Sequence, residues 1–539
     1  MKHEVSHISN RGADTMNNKV LHPRALEPVT LLMIVFTSVI GAIIGIQLIT
    51  TLGISANTSI VGAIFAMILG RIPIGKLIAF KSIHRQNIVQ TAISAATFSA
   101  ASSLMLPIGI PYVLGYENLV LPLFIGVVLA MFVDALLLYK FFDTKVFPAA
   151  GTWPPGIATA EAIKAGDKGG KNAKVLVGGV LIGIVGSVLK IPMSAFGVAF
   201  IGNIWALTMF GIGLLLRGYS VQLFNIDLND YYIPHGMMVG AGIVALFQVG
   251  FSLFTKRAAK EVEEVRYTKD EKEIRQGFGV GFIAYLAIAL LIALLGGLIS
   301  HMSFGMLLGF LLFAAIAAFV HELIVGIAAM HAGWFPAFAV AFITLIVGIL
   351  LGFPAPALAL LAGYSAATGV AFADMGYDLK TGFILRGNGS DPALEKEGRK
   401  QQLIAGMLAF AISAIVVLLS YKSYFAQDLV APVNHVYAAT IQSGVTGDVA
   451  KQLMIWAIPG ALIQLLGGAK RQMGILFATG LLLVNPIAGW AVLTGIVLRI
   501  IFTSLTKGKK ESEMTVFAAG VIAGDALYSF FTSIVKIGK

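Results

Sequence analysis

The chain has 539 residues, 58% of them hydrophobic and only 12% charged, with no cysteine. That charge is about half what a soluble domain carries, which excludes a water-soluble globular protein, and disulfide and thiolate chemistry are excluded with it. The net charge of +11 comes from Lys and Arg scattered at segment ends, a topology signal that argues against a nucleic-acid partner.

Residues 1–28 are polar (Lys2, Arg11, Lys19, Arg24) and too long and wet for a secretory signal, so they are expected to form a cytoplasmic tail. The apolar run Pro28–Thr51 then acts as an uncleaved anchor whose basic flank keeps the N-terminus cytoplasmic. Runs long enough to cross a bilayer follow at 58–80, 87–107, 119–141, 174–190, 195–216, 232–254, 277–300, 303–325, 332–353, 355–376, 401–421, 452–467, 473–501 and 514–535. Such unbroken runs fit helices and not the short alternating strands of a barrel. The fold class is all-α and polytopic, with about 14–16 transmembrane segments.

Within 87–107, Asn87, Gln90, Thr91, Ser94 and Thr97 recur at three- and four-residue steps and share one helical face. Ser94-Ala95-Ala96-Thr97 returns as Ser365-Ala366-Ala367-Thr368, about half a chain length later. Gly166-Asp167 before one apolar run resembles Gly447-Asp448 before another, and Ala241-Gly242 resembles Ala523-Gly524. The common order points to two related halves, at 29–256 and 303–539, separated by a charged cytoplasmic linker and connecting helix at 257–302. Loop charge makes them inverted. Residues 140–174 are rich in Lys where 421–451 holds only Lys422 and Lys451, whereas 108–118 has no Lys or Arg where 378–400 holds Lys380, Arg386, Lys396, Arg399 and Lys400. Parity then asks one long segment per half to double back, and 195–216 and 473–501 (interrupted at Asn485-Pro486) are the candidates.

Two stretches rich in Pro and Gly, 147–163 and 431–444, are expected to be re-entrant or broken, which is tolerated at membrane depth only inside protein or along a cavity. Ionisable groups in apolar runs are costly and so are functional candidates: Asp134, His321, Glu322, His331, Asp374 and Asp525, with Glu161 at the edge of the first broken stretch. A solvated helix end accounts for Asp378 and Lys380, and a basic neighbour is one account of Asp134. His321-Glu322 lacks the second His of a zinc-peptidase motif, since position 325 is Val. His321, Glu322 and His331 are instead read as a proton-handling or gating cluster. No Gly-x-Ser-x-Gly and no Gly-x-x-x-x-Gly-Lys-Ser/Thr occurs, so neither a nucleophile elbow nor an ATPase loop drives this chain. The polar stripe fits interhelical hydrogen bonding as well as it fits a lined cavity. Trp153, Trp334, Trp456 and Trp490 fit interfacial anchors.

The motifs Asn87-Ile88-Val89-Gln90-Thr91-Ala92-Ile93-Ser94-Ala95, Pro154-Pro155-Gly156-Ile157-Ala158-Thr159-Ala160-Glu161 and Leu361-Ala362-Gly363-Tyr364-Ser365-Ala366-Ala367-Thr368-Gly369 resemble the oligopeptide transporter family, which includes the yellow-stripe metal-chelate transporters. The run Phe372-Ala373-Asp374-Met375-Gly376-Tyr377-Asp378, then Arg399-Lys400-Gln401-Gln402 and Trp456-Ala457-Ile458-Pro459-Gly460-Ala461, extend the likeness over about 29–535. The chain departs from the family pattern at Phe147–Gly156, Ala431–His435 and Gly524-Asp525. The resemblance implies secondary, typically proton-coupled uptake of small peptides, modified peptides or metal–ligand complexes by a prokaryotic-type member. It implies no cofactor and no resident metal, and leaves homo-oligomerisation open.

Together these readings expect a secondary transporter in a bacterial or archaeal cytoplasmic membrane. Asn87, Gln90, Thr91, Ser94, Thr159, Ser365, Thr368, Asn434 and Gln442 are expected to line the substrate cavity, and Glu161, Glu322 and Asp374 to couple protons. A passive channel and an intramembrane enzyme are the rival readings.

Overall fold

A computed structural model describes residues 22–52, 62–63, 67, 79–168, 170–254, 271–333, 337–444 and 447–537. Most of the expected run 58–80, Trp334, most of the charged linker and most of the N-terminal tail lie outside the described residues. The described chain is helical. In order it runs α1 (Pro28–Leu52), α2 (Ile83–Phe98), a π-helical turn (Ser99–Met105), α3 (Leu106–Val113), α4 (Val120–Phe141), α5 (Pro154–Lys168), α6 (Gly170–Val188), α7 (Met193–Ala199), α8 (Ile204–Phe224), α9 (Ile233–Phe254) and α10 (Glu271–Leu295). It continues as α11 (Phe304–Ala332), α12 (Ala337–Leu350), α13 (Ala355–Ala367), α14 (Val370–Leu385), α15 (Pro392–Phe425), α16 (Pro432–Ser443), α17 (Gly447–Arg471), α18 (Met473–Leu482), α19 (Pro486–Thr506) and α20 (Glu511–Ile537). Nine helices among the described residues are long and apolar enough to cross a bilayer, so the all-α polytopic expectation holds.

Local chemistry sets the ends. The Asn203 side chain accepts from Trp205 N and Ala206 N and starts α8. Asp391, followed by Pro392, accepts from Ala393 N and Leu394 N and starts α15. Asn485, followed by Pro486, accepts from Ala488 N and starts α19. Each satisfies amides that a helix start leaves without partners, and Pro suits the first helical turn. Both segments expected to double back are interrupted at these caps: 195–216 splits into α7 and α8, and 473–501 into α18 and α19.

Burial ranks the helices. In the most apolar window of Ile83–Val113, 94% of residues are buried, and in that of Ala355–Leu385, 89%, against 33% for Ile274–Leu295 and Pro392–Phe425. The two spans that share the Ser-Ala-Ala-Thr sequence are therefore the centre of the bundle. Around them the other helices turn apolar side chains such as Leu419, Leu466 and Leu505 outward, as lipid requires.

Packing is reciprocal between the segments that the sequence repeat equates. α6 packs on α20 while α9 packs on α17, α7 packs on α19 while α8 packs on α18, and α2 packs on α14 while α3 packs on α13. Small residues allow the first of these contacts. A Cβ on Gly179 would stand 2.4 Å from Phe517 O, and one on Gly183 2.3 Å from Val521 O, with Gly520 and Gly524 answering from α20. Two facing Gly-x-x-x-Gly faces let the backbones touch, the membrane substitute for an apolar interface.

Helix α15 has 34 residues, about 51 Å of rise against about 30 Å of hydrocarbon. Its flanking residues Ser390 and Gln427 are both exposed. Since the chain has no cysteine, Ser390→Cys and Gln427→Cys can be read singly. They are expected to react with an impermeant maleimide from opposite sides of sealed vesicles, and reaction of both from one side removes α15 as a crossing helix.

Candidate functional site

The polar stripe of α2 faces inward. Asn87, Gln90, Thr91, Ser94 and Thr97 are all fully buried, and so is Ser365 at 1% exposure. Ser94 Oγ donates to Asp374 Oδ1 at 2.6 Å and Gln90 Nε2 to Asp378 Oδ1 at 2.5 Å. Gln402 Nε2, from α15, donates to Thr91 Oγ1 at 3.2 Å and to the Asp378 carbonyl at 2.5 Å. These bonds tie α2, α14 and α15 into one seam. The π-turn that follows α2 continues it: Ser99 and Ser413 hydroxyls lie 2.7 Å apart. Such turns insert an extra residue, rotate the face presented, and gather at functional sites.

The second centre is a break. Continuous helix was expected over 355–376, but α13 ends at Thr368 with extended backbone and Gly369 (φ 85) starts α14. The left-handed conformation at Gly369 disfavours any other residue there. The freed amide is answered from α4: Gly369 N donates to Asp134 Oδ2 at 2.7 Å, while Tyr285 on α10 donates its hydroxyl to Asp134 Oδ1 at 2.6 Å. Among the described residues Asp134 thus has no basic partner; its oxygens accept from a hydroxyl and from the amide at the start of α14. The His321 ring lies 3.1 Å from Thr368 Oγ1. Glu322 is fully buried near Tyr285 and Asp134, yet neither of its oxygens holds a hydrogen bond of normal geometry.

Several buried polar atoms have no protein partner among the described residues: both amide atoms of Asn87 and of Asn434, Gln90 Oε1, Ser365 Oγ, Tyr377 OH, Asp378 Oδ2 and His321 Nε2. Buried polar groups are ordinarily paired, so these orphans are exceptions to the rule that the rest of the bundle follows. Asn434 comes from α16, which packs on α3 and α13, and His321 from α11, so the orphans come from both central spans and two neighbouring helices.

One end of the seam is cationic. Arg386 donates to both oxygens of Glu395 (2.7 and 3.2 Å) and to Gln402 Oε1 at 2.8 Å. Arg399 donates to Glu395 at 2.6 Å and to Asp143 at 3.1 Å. Lys380 Nζ donates to the Ala149 carbonyl at 2.8 Å. Lys380, Arg386 and Arg399 were counted as loop charges and Asp378 as a solvated end, but all four are buried. Only Lys396 and Lys400 of the 378–400 set are exposed. The signal missed was the alternation of Arg386, Glu395 and Arg399, the last two one helical turn apart and able to share a face.

Other expectations change as well. The stretch 147–163 is irregular up to Trp153 and then enters α5, which runs on to Lys168, while 431–444 holds α16, and both keep the interruption expected of a broken segment. Thr159 is buried but donates to the Pro155 carbonyl. Glu161 is half-buried and pairs with Lys164 at 3.0 Å. Gln442 is exposed, unlike the other expected cavity residues, which are buried. His331 lies two to three turns beyond Glu322 along α11 and cannot join it. Asp525 accepts from Ser187 Oγ and Ser194 N and caps α7 from α20, away from the seam. Trp153 is no interfacial anchor: it is fully buried among Phe142, Phe147 and Tyr377.

A family model described as OPT oligopeptide transporter protein matches residues 29–256 and 254–536, and the chain belongs to that family. It is a multi-pass membrane transporter of oligopeptides or related compounds, and the family is one of transporters, not enzymes. Comparison with curated proteins found no match.

Removing Arg386 leaves Glu395 buried with one partner fewer, and breaking a buried pair costs about 3–5 kcal/mol. Arg386→Met is expected to lower the thermal unfolding midpoint in detergent far more than Lys396→Met at an exposed site. Equal midpoints would show that the network adds nothing to stability.

Proposed function

We propose that this member of the oligopeptide transporter family is a proton-coupled secondary transporter. It takes up small peptides, modified peptides or metal–ligand complexes across the cytoplasmic membrane, with its N-terminal segment on the cytoplasmic face. Residues 29–256 and 303–539 act as two related, inverted halves joined through 257–302, and the reciprocal packing of α6, α9, α17 and α20 supports this reading.

The observation that carries the proposal is the buried seam between the two central spans. Seam carboxylates and unpartnered amides and hydroxyls sit where lipid would not accept them, and a transporter places its site between such halves. Asn87, Asn434 and Ser365 offer free donors and acceptors to a ligand. Gln90, Thr91, Ser94 and Thr368 hold the walls. Asp374 takes a hydroxyl from α2 across the site and is suited to exchange a proton as the two spans separate. Glu322 is the second candidate. Glu161, paired with Lys164, is a weaker one.

Asp374→Asn in reconstituted vesicles is expected to reduce accumulation under an imposed proton gradient to the level reached with none, while exchange of labelled for unlabelled substrate continues. Wild-type accumulation by this variant rejects the role. Passive flux in wild type that ignores a protonophore would favour a channel instead.

Ligand identity is open to a direct screen. A saturating ligand at 100 times its Kd stabilises a protein by about 2.7 kcal/mol. Dipeptides, tetrapeptides and metallophore complexes are to be tested by thermal shift. The class that stabilises wild type is expected to have a smaller effect on Asn434→Leu, and an identical shift in the two proteins takes Asn434 out of the site.

A further inference from the structure

The carboxyl of Glu322 is the group in this bundle whose position is least explained by packing. Among the described residues neither it nor Asp134 forms an ion pair, and both are fully buried. Asp134 has two good donors, Tyr285 OH and Gly369 N, so its charge is compensated. Glu322 lies against the same hydroxyl with none of its own. An ionised carboxylate with no partner in apolar surroundings costs several kcal/mol, so Glu322 carries its proton in this arrangement.

We infer that Glu322 and Asp134, bridged by the Tyr285 hydroxyl, form a proton-binding centre that governs the helix break at Thr368–Gly369. The inference rests on the proton-coupled reading above and assigns a site to it. Tyr285 has one hydroxyl proton and can serve one carboxylate. With Glu322 neutral, it serves Asp134, and Asp134 holds the Gly369 amide. When Glu322 loses its proton, two buried carboxylates compete for that hydroxyl, and the one that loses is left unpaired. The arrangement that holds Gly369 is then the costly one, and release of the break relieves it.

The groups facing the pair come from every element packed there. Tyr285 is on α10, and Tyr364 on α13 donates to the Tyr285 carbonyl at 3.0 Å. His321, beside Glu322 on α11, contacts Thr368. The break is therefore touched by Asp134, which the Tyr285 hydroxyl holds, and by His321, the neighbour of Glu322. Helix α10 has no counterpart in the repeat, so this centre has no twin in the other half.

The test uses purified full-length protein in lipid nanodiscs and needs no substrate. Infrared difference spectra between acidic and alkaline buffer, in water and in deuterium oxide, are expected to show a protonated-carboxyl band sensitive to exchange. Glu322→Gln should lose it. Tyr285→Phe, which keeps the ring volume, should keep the band but shift its frequency. In vesicles, Glu322→Gln should accumulate substrate under a proton gradient no further than without one. A band unchanged in both variants, or full gradient-driven accumulation by Glu322→Gln, overturns the assignment. Failure of the coupling reading itself appears separately, as wild-type uptake indifferent to the gradient, and the spectra still decide whether Glu322 binds the proton.

Discussion

The rest of the structure depends on one constraint: in a bilayer, backbone and side-chain polar groups must find partners inside the protein. The interruption at Thr368–Gly369 meets it through Asp134, a residue far away in the chain that accepts the free amide. Without that acceptor, α13 and α14 would have to continue as one helix. The Ser94–Asp374 and Gln90–Asp378 bonds meet the same constraint between spans and fix how α2 lies against α14. The positions of α4, α10 and α15 follow, because Asp134, Tyr285 and Gln402 each bring a group to one of these residues.

The division between jacket and seam has a chemical order. The outer contacts use glycine: α6 and α20 meet where Gly179, Gly183, Gly520 and Gly524 leave no room for side chains. Backbone-to-backbone contact of this kind is dense and leaves little freedom to slide. The inner contacts use side-chain hydrogen bonds and leave several polar atoms unsatisfied. Charge is divided too. Carboxylates lie along the middle of α14 and near the break, while the guanidinium groups are gathered at the far end of α14 and the start of α15, locked to Glu395 and Asp143.

Much of this was legible in the sequence. The stripe from Asn87 to Thr97 could be placed on one buried face because helical period is geometric, and Asn485-Pro486 marked a real helix start because side-chain caps and proline act locally. The break at Gly369 was not legible: glycine is common in membrane helices, no proline stands there, and the acceptor that permits the break is Asp134, which no local window contains. Burial of Asp378 and Lys380 was missed for a similar reason. Charged residues near the end of an apolar run are usually solvated, and only the fold shows Ala149 and Gln90 waiting to receive them. The exposure of Gln442 was equally hidden, since a polar residue on a short helix gives no sign of which side faces out.

The unsatisfied atoms bear on which parts of the bundle can move. A structure held only by complete hydrogen bonding would lose partners in any rearrangement and would resist one. Here the side chains of Asn87, Asn434, Ser365 and Glu322 have no hydrogen bond to lose among the described residues, so separating the central spans costs little at those side chains. The cost falls on Ser94–Asp374, Gln90–Asp378 and the Asp134 bonds, and each of these includes a carboxylate. Adding a proton to a carboxylate turns an acceptor into a donor and changes the strength of those particular bonds. The Arg386–Glu395–Arg399 network and the glycine contacts include no orphan and stay as fixed ground. A change in the protonation of these carboxylates would therefore weaken the seam before it weakened the glycine contacts.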